Sequence, residues 1–251
     1  MAESPAAPDA ELLLDRARSL MQAGAREGVP MRLLGGLAVY ALAPSARRSP
    51  LARTYRDFDL AVPAKRGPAA SRIMEANGLV PDRHFNALHG ARRMIFTSPE
   101  GFGADLLIGR FEMCHALEID DAFDAEGTTI SPAHLLLTKL QIVAIEPKDL
   151  ADAAALALDA PLGPAAGEID VERFVAPLAD DWGFFHTVEL NLPKLRTFGE
   201  ETLGPDDASV LGERLDALAR AMEAVPKSMR WRIRSRVGER VVWYQTPEEV
   251  D

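Results

Sequence analysis

The chain has 251 residues, 47% of them hydrophobic and 26% charged, which is the composition of a globular protein with one large core or two small ones. This composition excludes collagen-like, disordered and disulfide-rich proteins. No apolar run reaches the roughly 20 residues that a bilayer needs, and the first residues lack the basic and apolar regions of a signal peptide. We therefore expect a soluble, cytoplasmic protein with no membrane partner, and the single cysteine, Cys114, fits a reducing compartment.

The net charge of -10 argues against broad, sequence-independent binding to nucleic acid, which depends on cationic contacts to phosphates. The charge is unevenly distributed, because residues 227–240 contain six basic residues and one acidic residue. This stretch carries +5 and the rest of the chain carries -15. A local site for a polyanion is therefore compatible with the acidic total.

The first half of the chain mixes helical and strand-like patterns. Residues 1–9 are rich in alanine and proline and are predicted to be disordered, with Asp9 as the cap of the following helix. A short apolar run that ends at Gly35 and Gly36 predicts a strand, a tight turn and a helix. The predicted elements are helix 10–27, strand 31–34, helix 37–42, loop 43–53, strand 55–62, helix 69–77, and strands 93–97 and 104–108 as a hairpin.

The second half is predicted to be mostly helical. Ser131 and Pro132 are good residues for a helix start, and the Pro/Gly/Ala segment 159–167 is predicted to be a linker. The chain then divides into a domain at 10–158 and a helical C-terminal domain at 168–251. The predicted helices are 131–144, 148–158, 171–178, 182–195, 206–224 and 226–238, the last of which also fits a strand pattern.

Asp57 and Asp59 are separated by one apolar residue in the strand-like run YRDFDLAV, so on a strand both carboxylates point to one face. Two adjacent negative charges are costly unless a cation neutralises them. Carboxylate oxygens suit Mg²⁺, which takes one or two protein carboxylates and completes its shell with water and phosphates. The pair is a candidate metal site, with a strand's solvated face as the alternative.

Two further features strengthen the interpretation of a metal-dependent phosphate site. Gly35 and Gly36 lie between a strand and a helix, where backbone N–H groups and the positive end of the helix can hold phosphate. Asp105 lies in the apolar run ADLLI, where a carboxylate needs a partner: a metal, or Arg92 or Arg93 across the predicted hairpin. Three acids around a phosphate-binding turn would form a two-metal site.

Together these residues resemble a known superfamily. The segments LLGGLAVY, RDFDLAV and ADLLI resemble the glycine pair, paired aspartates and third aspartate of the DNA polymerase beta superfamily of nucleotidyltransferases. The downstream segment LLLTKLQIVAIEPKDLADAAALAL is similar to the helical part of the minimal and AbiEii-like nucleotidyltransferases. The resemblance covers residues 31–158, and the Pro/Arg-rich loop between Gly36 and Asp57 lengthens this gap beyond the family's usual spacing.

The resemblance implies an α/β fold of the α+β type, with a small mixed sheet flanked by helices and a helical C-terminal region after it. It implies a Mg²⁺-dependent enzyme with two ions, which transfers a nucleoside monophosphate from a nucleoside triphosphate such as ATP to an acceptor hydroxyl and releases pyrophosphate. Asp57, Asp59 and Asp105 would bind metal, and Asp105 would also act as or near the base. Gly35 and Gly36 would contact the triphosphate. The acceptor would be RNA, a protein hydroxyl in a toxin–antitoxin setting, or a small molecule.

Lys139 lies on an apolar helix, LLLTKLQI, where a buried ammonium needs an anion. We expect either a phosphate of the nucleotide or a structural ion pair with Asp149 or Asp152.

A second hypothesis is a catalytically inactive protein of the same fold that binds nucleotide as a regulatory module. The two hypotheses predict different geometries. Catalysis requires Asp57, Asp59 and Asp105 to surround an open cleft, whereas an Asp105 that faces away or pairs with an arginine favours the binding module.

A third and weaker hypothesis concerns the segment 230–236, which presents four arginines beside Trp231. Such a surface could stack a base or hold phosphates of a nucleic acid. The alternative is a solvated basic face that pairs with the surplus acids of the chain.

Overall fold

The computed structural model describes residues 9–123 and 127–246; the predicted disordered segment lies, apart from Asp9, outside the described residues. The described chain has ten α-helices and seven strands. The helices are α1 Ala10–Arg26, α2 Gly35–Leu42, α3 Gly67–Ala76, α4 Arg83–His89, α5 Pro132–Leu140, α6 Pro147–Asp159, α7 Val171–Asp180, α8 Trp182–Thr202, α9 Pro205–Ala224 and α10 Met229–Val237. The strands are β1 Arg32–Leu34, β2 Asp57–Val62, β3 Val80–Pro81, β4 Arg93–Thr97, β5 Gly103–Ile108, β6 Arg110–Glu112 and β7 Ala116–Glu118.

Five strands form one mixed sheet in the order β1-β2-β5-β4-β3. The central strands β2 and β5 are parallel, whereas the other neighbouring pairs are antiparallel. The fold class predicted from sequence, a small mixed sheet with flanking helices and a helical C-terminal region, is confirmed. The predicted hairpin of β4 and β5 is confirmed as well.

The contacts divide the chain into two compact units, each made of separate chain segments. Among the described residues, the first contains those up to Ala41 together with those of Arg53–Phe111 and Glu118–Ile130, and therefore holds the five-stranded sheet. The second contains Leu42–Ala52, Glu112–Leu117 and the described residues from Ser131 onward. This division differs from the predicted one, because α5 and α6 pack with α7, α8 and α9. The segment 159–167 is thus internal to the second unit.

Two helices begin at the capping residues that the sequence predicts, Asp9 and Ser131. Asp9 accepts a hydrogen bond from the backbone N–H of Glu11, and Ser131 accepts one from that of His134. Ser228 caps α10 by accepting from the N–H of Trp231, so this segment is a helix and not a strand.

Two helices differ most in length from those predicted. Helix α5 ends at Leu140 and not at residue 144, because the Asn191 side chain donates hydrogen bonds to the carbonyls of Leu140 and Ile142. Helix α8 continues past residue 195 to Thr202 although Pro193 lies inside it. The sequence analysis also missed α4, whose cap Asp82 accepts hydrogen bonds from two backbone N–H groups.

Candidate functional site

In the glycine turn between β1 and α2, the backbone of Gly35 closely approaches the carboxylate of Asp59. Gly35 has a φ of +72°, a left-handed conformation that glycine adopts without penalty. A Cβ at this position would overlap the Oδ2 atom of Asp59 on β2. The turn therefore places the Asp59 carboxylate against the first residue of α2.

The neighbouring glycine, Gly36, leaves space for an arginine side chain. A Cβ at Gly36 would overlap the guanidinium of Arg53, which also lies over the ring of Tyr55 at 4.3 Å. The first turn of α2 thus combines backbone N–H groups that have no partner within the helix, the positive helix end and an arginine, all of which attract phosphate. Sequence reasoning missed Arg53 because it treated 43–53 as a surface loop, although Arg53 lies four residues before Asp57, the first acid of β2.

The three predicted acids lie on one face of the sheet. In the parallel register of β2 and β5, Asp59 is opposite Asp105 and Asp57 is opposite Gly103. Directly opposed residues share a face, and residues two apart on a strand share it too. Asp57 is exposed, whereas Asp59 and Asp105 are half-buried.

Asp105 is bound by an arginine from the adjacent strand. The Arg93 guanidinium on β4 donates from Nε at 2.9 Å and from Nη2 at 2.5 Å to Oδ2 of Asp105. Burial raises the pKa of the Asp105 carboxyl above its usual value, and the charge of Asp57 raises it further, while Arg93 opposes both effects. Asp105 therefore has the alternative partner that the sequence analysis left open.

The donor set fits a divalent cation only in part. Asp57 and Asp59 offer hard oxygen ligands on one strand face, which is a suitable pair for Mg²⁺. Among residues 9–123 and 127–246, no three acidic, histidine or cysteine side chains form a group that could hold a metal ion. The arrangement described thus supports a two-carboxylate site and does not assemble the three-carboxylate, two-ion site.

Lys139 is buried within the second unit. Its Nζ atom lies 2.8 Å from Oδ2 of Asp152 and 3.4 Å from Oδ1 of Asp149. This is the structural ion pair that the sequence analysis considered beside a phosphate contact. Two carboxylates from α6 satisfy the ammonium without a ligand.

Two residues of α10, Trp231 and Arg234, pack against other residues of the second unit. The half-buried Trp231 ring packs edge-on against Phe185 at 5.3 Å. Arg234 lies over the ring of Trp182 at 4.8 Å and donates to the carbonyls of Gly238 and Val241. Neither Trp231 nor Arg234 is arranged to stack a base.

Comparisons with known proteins add two structural neighbours. No protein-family model matches the sequence, and no curated protein matches it. The structure of the lincosamide antibiotic adenylyltransferase LnuA with lincomycin bound is 17% identical, with a TM-score of 0.42, over 57% of this chain and 94% of that one. The structure of an antigenic nucleotidyltransferase-like protein from Paracoccidioides brasiliensis is 14% identical, also with a TM-score of 0.42. The match covers 88% of this chain and 96% of that one. At this score the likeness does not assign the fold by itself.

In the part of the chain that the structure describes, no helix combines the length and the apolar character that crossing a bilayer demands.

Proposed function

We propose that this protein is a nucleotidyltransferase that transfers a nucleoside monophosphate from a nucleoside triphosphate to an acceptor hydroxyl. The observation that carries the proposal is the contact of the Asp59 carboxylate with the Gly35 turn at the start of α2. It brings a phosphate-binding helix end and a cation-binding carboxylate to the same place. Asp57 and Asp105 share the sheet face of Asp59, which supports one common site.

Each part of this site has a task that follows from its chemistry. The N–H groups at Gly35 and Gly36 and the guanidinium of Arg53 bind and orient the triphosphate. Asp57 and Asp59 hold Mg²⁺. When bound there, the ion supplies positive charge that stabilises the transferring phosphoryl group and the pyrophosphate leaving group.

Asp105 is proposed as the group that accepts the proton of the acceptor hydroxyl. A carboxyl with a raised pKa is a stronger base than an ordinary aspartate, and burial raises this one. Arg93 keeps the carboxylate in position and limits the rise of its pKa. Arg93 is thus a positioning residue for the proton transfer.

The resemblance of the segment 135–158 to AbiEii-like proteins supports a placement in that branch, in a cytoplasm that supplies Mg²⁺ and ATP. A toxin–antitoxin pairing is the setting in which a protein hydroxyl would be the acceptor. RNA and small hydroxyl compounds are the other acceptor classes.

The ion pair of Arg93 with Asp105 specifically favours a second candidate function. A carboxylate that is bound through two nitrogen atoms of a guanidinium is poorly available to a metal or a proton. In this candidate the protein binds the nucleoside triphosphate at the glycine turn and acts as a regulatory module without turnover.

One experiment separates the two candidates. The protein is incubated with Mg²⁺ and labelled ATP, CTP, GTP or UTP, together with RNA, protein or small hydroxyl acceptors, and both transfer and equilibrium binding are measured. The enzyme transfers label, and Asp57→Asn lowers the rate by about 100-fold or more, the scale for loss of an electrostatic group. Asp57 is exposed, so this variant keeps its fold.

The matched control is Asp15→Asn, which removes an exposed carboxylate on α1 and leaves transfer unchanged. Binding of nucleotide without transfer to any acceptor supports the regulatory module. Absence of both binding and transfer rejects both candidates.

A further inference from the structure

An apolar stripe on α10 faces outward. Met229, Ile233 and Val237 follow one another at intervals of four residues and therefore lie along one side of the helix. Their exposed fractions are 70%, 58% and 39%. We call these three residues the α10 stripe. Sequence reasoning would place such a stripe in the core, yet the opposite side of the helix packs inward.

Arginines flank the α10 stripe. Helical geometry puts Arg232 and Arg236 along one edge and Arg230 along the other. Among the described residues, the side chains of Arg232 and Arg236 have no hydrogen-bond or ion-pair partner, and Arg230 has only a 3.8 Å contact with Asp180. The helix therefore presents an apolar centre between positive edges.

A groove in the same unit is also apolar at its centre but has carboxylates at its edges. It lies between α8 and α9 and has a volume of about 830 Å³, within the range of specific binding sites. Its floor is apolar, and its rim carries carboxylates. The floor includes Leu192, Leu215 and Met222, and the rim includes Glu189, Asp216 and Glu223.

The charges of the two surfaces are complementary. The groove rim contains three acidic and two basic residues, a net charge of -1, and α8 and α9 as whole helices carry -4. The ion pair of Arg196 with Asp216 cancels one rim charge of each sign. The edges of the α10 stripe carry three arginines, a charge of +3. An apolar helix with basic edges thus matches an apolar groove of net negative charge.

The α10 stripe cannot occupy the groove of its own chain. Trp231 anchors α10 edge-on against Phe185, and Arg234 lies over Trp182, so the inner side of α10 is fixed to the first turns of α8. The groove begins further along α8, from Glu189 onward. With the inner side held in this way, the stripe points to solvent, where it meets another molecule.

We propose that two copies of this chain associate reciprocally, each placing its α10 stripe in the α8–α9 groove of the other. A second copy is the occupant because this one chain carries both complementary surfaces. Reciprocal exchange about a two-fold axis makes two identical contacts. A nine-residue helix buries less than the roughly 1,600 Å² of a typical stable interface, so one contact alone is expected to be weak and the second reciprocal contact strengthens the dimer. This inference is independent of the proposed nucleotidyl transfer.

Sedimentation of the purified full chain tests the proposal. The wild type is expected to be a dimer. Ile233→Asp places a charge in the stripe, and Ala219→Arg fills the groove; each variant alone is expected to be a monomer. Ser209→Asp and Ser209→Arg put the same charges at an exposed position of α9 outside the two surfaces and should leave the dimer intact.

Mixing the two monomeric variants is the decisive step. The Ile233→Asp chain keeps an intact groove and the Ala219→Arg chain keeps an intact stripe, so the mixture forms one native contact. It is expected to dimerise more tightly than either variant alone and more weakly than the wild type. Circular dichroism of each variant verifies that it is folded. The proposal is wrong if the wild type stays monomeric up to its solubility limit, if neither substitution dissociates the dimer, or if folded variants fail to complement. A monomeric wild type that binds labelled RNA through α10 would assign the helix to nucleic acid instead.

Discussion

Gly35 connects the backbone of the turn to the chemistry of the site. Its φ of +72° and its close approach to Asp59 are two separate reasons why no side chain fits there. The first reason is conformational and the second is steric. A second glycine of the same unit, Gly28, has a φ of +69° with nothing within 4 Å of a Cβ. A substitution at Gly28 therefore measures the conformational penalty without the steric one.

We predict that Gly35→Ala destabilises the protein more than Gly28→Ala does. Gly28→Ala should cost about 1–2 kcal/mol, the penalty of a left-handed conformation for a residue with a Cβ. Gly35→Ala should cost about 1–3 kcal/mol more, because the new Cβ displaces the Asp59 carboxylate. Urea unfolding of both variants measures the difference, and equal losses of stability would show that the close approach is unimportant.

The residue scale also shows where sequence reasoning stops. The sequence identifies Asp105 as an acid that needs a partner, because it stands in the apolar run ADLLI. It cannot choose among a metal, Arg92 and Arg93, since that choice depends on the register of β4 against β5. In the register observed, Arg93 is opposite Leu107 and lies diagonal to Asp105 on one face.

At the scale of elements, α5 and α6 are held together by a buried charge cluster. All nine residues of α5 are buried, including Lys139, which pairs with Asp149 and Asp152 of α6. The Glu146–Lys148 pair, at the start of α6, involves the same types of charge, but both side chains are about 60% exposed. Burial is therefore the main difference between the two pairs.

We predict that Lys139→Met destabilises the protein by about 3–5 kcal/mol, because it leaves two buried carboxylates without a cation. The same substitution at Lys148 should cost less than about 1 kcal/mol, since exposed ion pairs contribute little. Thermal or urea unfolding measures both values. A loss of nucleotide binding by a Lys139→Met variant of unchanged stability would instead support the phosphate contact.

At the scale of the whole molecule, the two units interleave along the chain. The sheet unit and the helical unit each recruit distant segments, and Leu42–Ala52 belongs to the helical unit although it lies between β1 and β2. Sequence composition marks 159–167 as a linker because it is rich in proline, glycine and alanine. Leu162 of this segment instead forms a β-bridge with Ile169 within the helical unit.

We predict that a fragment ending at Leu158 does not fold cooperatively. It keeps the five strands of the sheet but lacks α7, α8 and α9, against which α5 and α6 pack. The apolar faces of α5 and α6 would be exposed, so the fragment should aggregate or bind a hydrophobic dye. A monomeric fragment with a sigmoidal urea transition would contradict this prediction, and the full chain serves as the control.

The sequence by itself determined the local features of this protein. Alternating apolar residues, capping side chains and glycines predict most helices and strands, and the two-residue period puts Asp57 and Asp59 on one face. These features depend on neighbours within a few residues, so the printed order of amino acids is sufficient to find them.

Only the tertiary structure decided which groups meet across the fold. It chose Arg93 as the partner of Asp105, placed Arg53 at the glycine turn, enclosed Lys139 between two carboxylates and left the α10 stripe outside. Each of these outcomes depends on strand register or helix packing between residues far apart in the chain. Periodicity predicts which side of an element is apolar, but it does not say what covers that side.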